Sequence, residues 1–185
     1  STTVTIIVTG TNDEPTISVD AASITVDEKG LAGVGSGEEA DAIPENDQSE
    51  VTTGSFTIGD VDGLDDISSI TLGTNELVIG TGTGEFATFA DMVGESFDTS
   101  NGTVEITGYS NGTFTYEYTL TTPFTNPEAN DGIQTIVDAD SFMVAVSDGV
   151  LSASATVNPD KMSFLILRLF AALSSNIICS FSYNI

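Results

Sequence analysis

The chain has 185 residues, of which 28 are acidic, three are basic and none is histidine, so its formal net charge at pH 7 is −25. This composition argues against a nucleic-acid partner, because phosphate contacts need lysine and arginine. A single cysteine without histidine argues against a zinc site and against a nucleophile activated by histidine. Apolar residues make up 39% of the chain, enough for the core of one ordinary domain.

The charge is unevenly distributed along the chain. Every acidic residue lies within residues 1–160, where Lys29 is the only base, so this part carries 28 − 1 = 27 net negative charges. Repulsion of this size opposes a compact state. Two interpretations remain, a merely solvated acidic surface or a surface that binds divalent cations, and the spacing of the carboxylates has to separate them.

The first half of the chain is predicted as short strands. Residues 2–9 are rich in β-branched side chains and predict a strand, which the segment from Gly10 to Pro15 interrupts. Residues 27–50 predict a long exposed loop. Further strands are predicted at residues 16–19, 23–26, 55–58, 67–72 and 76–79.

One segment breaks the β pattern. Phe86, Phe89, Ala90 and Val93 have helical spacing, and Gly94 is suited to end a helix. We therefore predict a short helix over residues 86–93 that covers one end of the sheets.

A hairpin is the clearest local signal. Apolar and polar residues alternate over 103–109 and 113–120, and Asn111-Gly112 between them suits a tight turn with positive φ. Residues 121–137 predict a second loop, followed by strands at 142–146 and 151–157. Residues 160–185 contain apolar runs and only one acid, and we predict that this tail lies outside the fold.

Several groups of carboxylates offer candidate metal ligands. Calcium takes six to eight oxygen ligands from Asp, Glu, Asn and backbone carbonyls, and acidic residues close together near strand ends could converge on one ion. The spacing differs from that of an EF-hand loop. The candidate ligands are Asn12, Asp13, Glu28, Asp60, Asp62, Asp65, Asp66, Asp138, Asp140 and Asp148.

The order of these motifs resembles a known family. Residues 5–15, Thr-Ile-Ile-Val-Thr-Gly-Thr-Asn-Asp-Glu-Pro, are similar to the strand and linker that end VCBS and bacterial cadherin-like repeats. Residues 26–28, 54–63, 102–109, 115–120 and 140–149 resemble, in that order, the long repeats of giant RTX adhesins, so the resemblance covers about residues 1–158. The sequence after Asn158 departs from the expected linker.

The resemblance implies an all-β fold, an Ig-like or cadherin-like Greek-key β-sandwich, with one short helix. Residues 1–13 would be the last strand and linker of a preceding repeat, residues 14–159 the sandwich, and residues 160–185 the atypical tail. It further implies calcium as the bound ion, neighbouring repeats as partners, export by type I secretion, a bacterial cell-surface location and a part in adhesion and biofilm formation. Insertion into a membrane is not expected.

Two other functions stay open at this stage. The sandwich could itself bind a cell-surface glycan or protein through its loops and tyrosines, and exposed aromatic side chains beside a calcium site would favour this. A pair of carboxylates could hydrolyse a glycoside, but no residue pattern singles out such a pair, and we expect the protein not to be an enzyme.

Overall fold

The computed structural model describes residue 4 and residues 10–20, 24–27, 30–31, 48–122 and 134–163. This part of the chain forms twelve strands and one short 3-10 helix. The strands are β1 (Thr16–Val19), β2 (Thr25–Asp27), β3 (Val51–Gly59), β4 (Ser69–Leu72), β5 (Asn75–Val78), β6 (Ser96–Asp98), β7 (Gly102–Ser110), β8 (Thr113–Leu120), β9 (Gln134–Ile136), β10 (Phe142–Ser147), β11 (Ser152–Val157) and β12 (Asp160–Ser163). No helix among the described residues has the length and apolar character needed to cross a membrane.

Two antiparallel sheets form the body of the fold. The five-stranded sheet has the order β1-β3-β8-β7-β6, and the four-stranded sheet has the order β11-β10-β4-β5. A small third sheet, β2-β12-β9, pairs β12 parallel to β2 and antiparallel to β9. The all-β sandwich predicted from the sequence is confirmed.

The core fills the space between the two main sheets. Period-two alternation turns Phe114, Tyr116, Tyr118 and Leu120 of β8 inward, and each of them is almost fully buried. The ring of Phe142 on β10 makes edge-to-face contacts with Tyr116 at 5.4 Å and with Phe97 at 5.5 Å between centroids. These aromatic contacts join the two sheets directly.

The predicted hairpin is confirmed. Asn111 and Gly112 both have positive φ, 48° and 81°, as a tight two-residue turn between β7 and β8 requires. On the neighbouring strand β3, Gly54 lies beneath Tyr116: a β-carbon at Gly54 would come within 2.3 Å of the Tyr116 hydroxyl oxygen. Glycine therefore lets the tyrosine ring lie across β3.

The helical segment is shorter than predicted. Only Phe89–Met92 is helical, as a 3-10 helix, and the Asp91 carboxylate accepts hydrogen bonds from the Thr88 N–H and hydroxyl at its start. Met92 is fully buried, whereas Val93 is 43% exposed. With three residues per turn, the half-buried Phe89 and the buried Met92 face the core, so the predicted helical face through Val93 is wrong.

Three further boundaries differ from the predictions. Strands β6 and β9 fall in segments where the sequence predicted none, and β12 extends the paired chain to Ser163, four residues beyond the predicted end of the sandwich. These strands are only three or four residues long, so their own pattern carries little information. The predicted strand at 2–9, apart from the exposed Val4, and residues 164–185 lie outside the described residues.

The buried carboxylate of Asp140 is hydrogen-bonded to residues of several strands and loops. Asp140, two residues before β10, accepts hydrogen bonds from the Thr99 hydroxyl, from the Asn101 N–H at 3.1 Å, from the Tyr118 hydroxyl at 2.8 Å and from the Ser141 N–H at 2.8 Å. Its N–H donates to the carbonyl of Pro159 at 3.4 Å. Burial, and then the bond to Asp140, raises the pKa of Tyr118, which keeps its hydroxyl protonated as a donor.

We expect Tyr118→Phe to lower the free energy of unfolding by about 1.5–3 kcal/mol, because it removes a hydrogen bond to a charged acceptor. Tyr116→Phe is the matched control, since the Tyr116 hydroxyl is equally buried but has no hydrogen-bond partner. Its removal should be neutral or stabilising. Urea unfolding followed by circular dichroism measures both, and equal losses in the two variants would contradict the assignment.

Candidate metal centre

Three segments meet at one end of the sandwich, which we call the entry end because β1 begins there. The segment 10–15 leads into β1, the loop 60–68 follows β3, and the turn 148–151 joins β10 to β11. Pairing of Thr16 with Gly59 and of Ser147 with Ser152 brings these segments to the same end of the two sheets. A hydrogen bond of 2.8 Å from the Ser68 N–H to the Ser147 carbonyl joins the loop to the turn.

The loop after β3 gathers three carboxylates. One carboxylate oxygen each from Asp60, Asp62 and Asp66 lies within 4.8 Å of the other two. The loop is folded by short-range bonds, in which the Asp62 N–H donates to Asp60 Oδ1 at 2.8 Å and the Asp66 N–H donates to the Gly63 carbonyl at 3.2 Å. Gly63 has a φ of 118°, which a residue with a side chain rarely adopts. We call Asp60, Asp62 and Asp66 the acidic cluster.

The electrostatics of the acidic cluster are unfavourable without a counter-ion. Asp60 Oδ2 is buried and has no hydrogen-bond partner. Desolvation, followed by the negative charges of Asp60, Asp62, Asp148 and Asp65, raises the pKa of Asp66. A bound cation would supply the missing partner for Asp60 and reverse the sign of the repulsion.

The acidic cluster could therefore hold a metal ion. Oxygen-only ligands suit hard cations such as Ca²⁺ and Mg²⁺, which take carboxylates, carbonyls and water. Three carboxylates would supply part of the coordination shell. Asp65 lies in the same loop outside the cluster, with Oδ1 only 2.5 Å from where a β-carbon of Gly63 would be.

Three other predicted ligands, Asn12, Asp13 and Asp148, reach the entry end from distant positions in the sequence. The Asp13 N–H donates to Asp62 Oδ2 at 3.0 Å, and Asn12 Nδ2 donates to Asp148 Oδ2 at 2.8 Å. Asp148 Oδ1 also accepts from the N–H groups of Leu151 and Val150, both at 2.6 Å. These bonds, led by the one from Leu151, lower the pKa of Asp148.

The remaining predicted ligands lie elsewhere. Asp138 and Asp140 precede β10, whereas the turn that holds Asp148 follows it, so the six residues of β10 separate the two groups. Asp138 sits in an exposed turn with a φ of 52°, and Asp140 is held by its four donors. Glu28 lies outside the described residues. A metal role for these three stays a prediction.

Sequence reasoning missed the partners of the two hydrogen-bonded carboxylates. Asn12 and Asp148 are 136 residues apart, and Tyr118 and Asp140 are 22 apart. The sequence marks each of these residues separately, as a candidate ligand or as an inward-facing aromatic residue. Their pairing arises only in the fold, which brings the ends of distant strands together.

Exposed aliphatic side chains border the acidic cluster. Val61 stands between Asp60 and Asp62 in the sequence, Val150 stands in the turn after Asp148, and each is 79% exposed. Together they give the entry end an apolar as well as an anionic character.

Comparisons with known proteins do not identify the chain. No protein-family model, no curated protein and no solved structure matches it.

The raised pKa of Asp66 predicts how stability changes with pH in a chelator. An acid whose pKa is raised on folding binds its proton more readily in the folded chain, so its charge opposes folding at neutral pH. That opposition is lost as the pH falls through the raised pKa towards the ordinary Asp range, about 4. We expect Asp66→Asn to raise the melting temperature in chelator at pH 7, by an amount that shrinks on acidification.

Thermal melts followed by circular dichroism between pH 7 and pH 4 test this expectation. Glu95→Gln is the control, because Glu95 is an exposed acid outside the acidic cluster. A variant Asp66→Asn that melts below the wild type at pH 7 in chelator would show that the repulsion is not significant.

Proposed function

We propose that this protein is a calcium-stabilised structural extender repeat of a bacterial surface adhesin, with Asp60, Asp62 and Asp66 as its principal calcium ligands. The observation that carries the proposal is the convergence of these three carboxylates within 4.8 Å, with Asp60 Oδ2 buried and without a hydrogen-bond partner. The sequence supplies no basic side chain in residues 1–160 apart from Lys29, so a cation is the available counter-charge.

The path of the chain supports an extender role. Asn12 and Asp13 lie beside the acidic cluster, whereas β11 runs away from it towards Pro159, which bonds to Asp140, and β12 follows at that end. Flanking segments at opposite ends of the sandwich suit domains joined head to tail. Neighbouring repeats of the same chain would then contact the entry end, where Val61 and Val150 are exposed.

The proposed mechanism is electrostatic. Without calcium, the carboxylates of the entry end would repel one another, and the loop that holds Asp60, Asp62 and Asp66 would gain freedom. Bound calcium would hold these three carboxylates together beside the Asp13 N–H, and the entry end would stiffen. Extracellular modules bind calcium with Kd values of about 10⁻⁴–10⁻³ M, which suits a secreted protein on the cell surface.

The alternative function, binding of a glycan or a protein through exposed tyrosines, receives less support. Every described Phe and Tyr is buried or half-buried, including Tyr109, Tyr116 and Tyr118 of the central hairpin. These three tyrosines pack in or against the core and do not form an exposed stacking surface.

Calcium should raise the melting temperature of the full chain relative to excess chelator. At 5 mM calcium and the Kd range above, one site stabilises the folded state by about 1–2 kcal/mol, or about 2–8 °C for a chain of this size. Magnesium at the same concentration should give a smaller shift, because it keeps several waters and requires near-ideal octahedral geometry.

Asp60→Asn and Asp62→Asn should each abolish most of the calcium shift, whereas Glu95→Gln should keep it. Isothermal titration calorimetry of the same variants gives the affinity directly. If calcium leaves the melting temperature unchanged, the carboxylates serve only to solvate the surface, and the proposed function is wrong.

A further inference from the structure

Asp148 is fixed by its own turn. Its Oδ1 accepts the N–H groups of Val150 and Leu151, both at 2.6 Å, so the carboxylate cannot rotate without losing two charge-assisted bonds. Its other oxygen, Oδ2, then points at Asn12 and accepts the amide Nδ2 at 2.8 Å. The lowered pKa of Asp148 means that this acceptor stays charged at neutral pH.

The segment before β1 is therefore attached at two points of different kinds. The Asp13 N–H bonds to Asp62 Oδ2, on a carboxylate of the acidic cluster, so this bond lies beside any cation that binds there. The bond between Asn12 and Asp148 lies outside the cluster, and Asp148 accepts three N–H donors of its own. Cation binding to Asp60, Asp62 and Asp66 does not require this bond to change.

The residues before and after the bond between Asn12 and Asp148 differ in how strongly the fold constrains them. Pro15 is buried, and Thr16 pairs with Gly59 and donates its hydroxyl to the Gly59 carbonyl at 3.1 Å. Gly10 is exposed, and a β-carbon there would meet no atom within 4 Å. The constraint on the chain therefore begins at Asn12 and continues through Thr16.

We propose that the bond between Asn12 and Asp148 is a latch that holds residues 12–15 on the sandwich with or without a cation, so that the chain swivels at Gly10. Asn12 and Asp148 act as positioning residues and not as metal ligands. The latch itself stands independently of the proposed function, and only its mechanical consequence for a junction between repeats rests on that function.

A donor and acceptor swap tests the latch. Asn12→Asp places two carboxylates against each other and should release the segment. Asn12→Asp combined with Asp148→Asn restores one amide and one carboxylate in reversed order, and the amide oxygen at position 148 still accepts from the N–H groups of Val150 and Leu151. Thr11→Ala is the control, because Thr11 is an exposed neighbour of the latch.

Backbone ¹⁵N relaxation of the full chain in excess chelator is the measurement. For the wild type, Thr11→Ala and the swapped pair, we expect order parameters of about 0.8 or more at residues 12 and 13 and below about 0.6 at Gly10. For Asn12→Asp alone, residues 12 and 13 should fall below about 0.6.

Two outcomes would overturn the latch. One is a wild type whose residues 12 and 13 are already flexible in chelator, and the other is a swapped pair that stays as flexible as Asn12→Asp. Neither outcome bears on the calcium shift in melting temperature, so failure of the latch and failure of the proposed function are distinguishable. Retention of the calcium shift in Asn12→Ala would further show that Asn12 is not an essential ligand.

Discussion

Repulsion between carboxylates that have almost no basic partners is the constraint on which the arrangement of this fold depends. Twenty-seven net negative charges in residues 1–160 cannot be placed on a compact body without cost. The fold limits that cost by lining the five-stranded sheet with hydroxyl groups on its outer face, where Thr57 bonds to Thr113 at 3.0 Å and Thr107 to Thr115 at 3.2 Å. Many of the acidic residues lie at the strand ends.

The same arrangement concentrates the repulsion. Strands β1, β3 and β10 all begin or end at the entry end, so the acidic residues that flank them are brought together there. The facing pair Glu105 and Glu117, directly opposite on β7 and β8, is a smaller example on the sheet surface. The apolar inner faces of the strands set the pairing register. The register in turn determines which carboxylates become neighbours.

Four of the described carboxylates illustrate two different physical states. Asp140 and Asp148 are surrounded by N–H and O–H donors, which stabilise the charge in place. Asp60 has a buried oxygen without a donor, and Asp66 is destabilised by desolvation and by its acidic neighbours. A carboxylate in the first state has its negative charge balanced by protein donors, whereas one in the second state would be stabilised by a bound cation. This difference separates residues that position the chain from residues suited to bind an ion, although all of them are aspartates near strand ends.

The sequence by itself determined the all-β class, the positions of most strands and the turn at Asn111-Gly112, because these follow from side-chain alternation and from the φ values that Asn and Gly tolerate. It also singled out Asp60 and Asp62, which are near neighbours in one loop. Residues 86–93 were misjudged because the four-residue 3-10 helix has a different period from the α-helix. Strands of three residues, such as β6, were missed because so short a segment has no readable period.

Only the tertiary structure decided which distant residues meet. The sequence groups Asp66 with Asp60 and Asp62 in one loop, but nothing in it pairs Asp148 with Asn12, 136 positions away. This bond depends on how β1 and β10 are placed in different sheets with their ends aligned. That alignment is set by the packing of Tyr116, Phe97 and Phe142 between the sheets, a contact between long-range partners that no local pattern encodes.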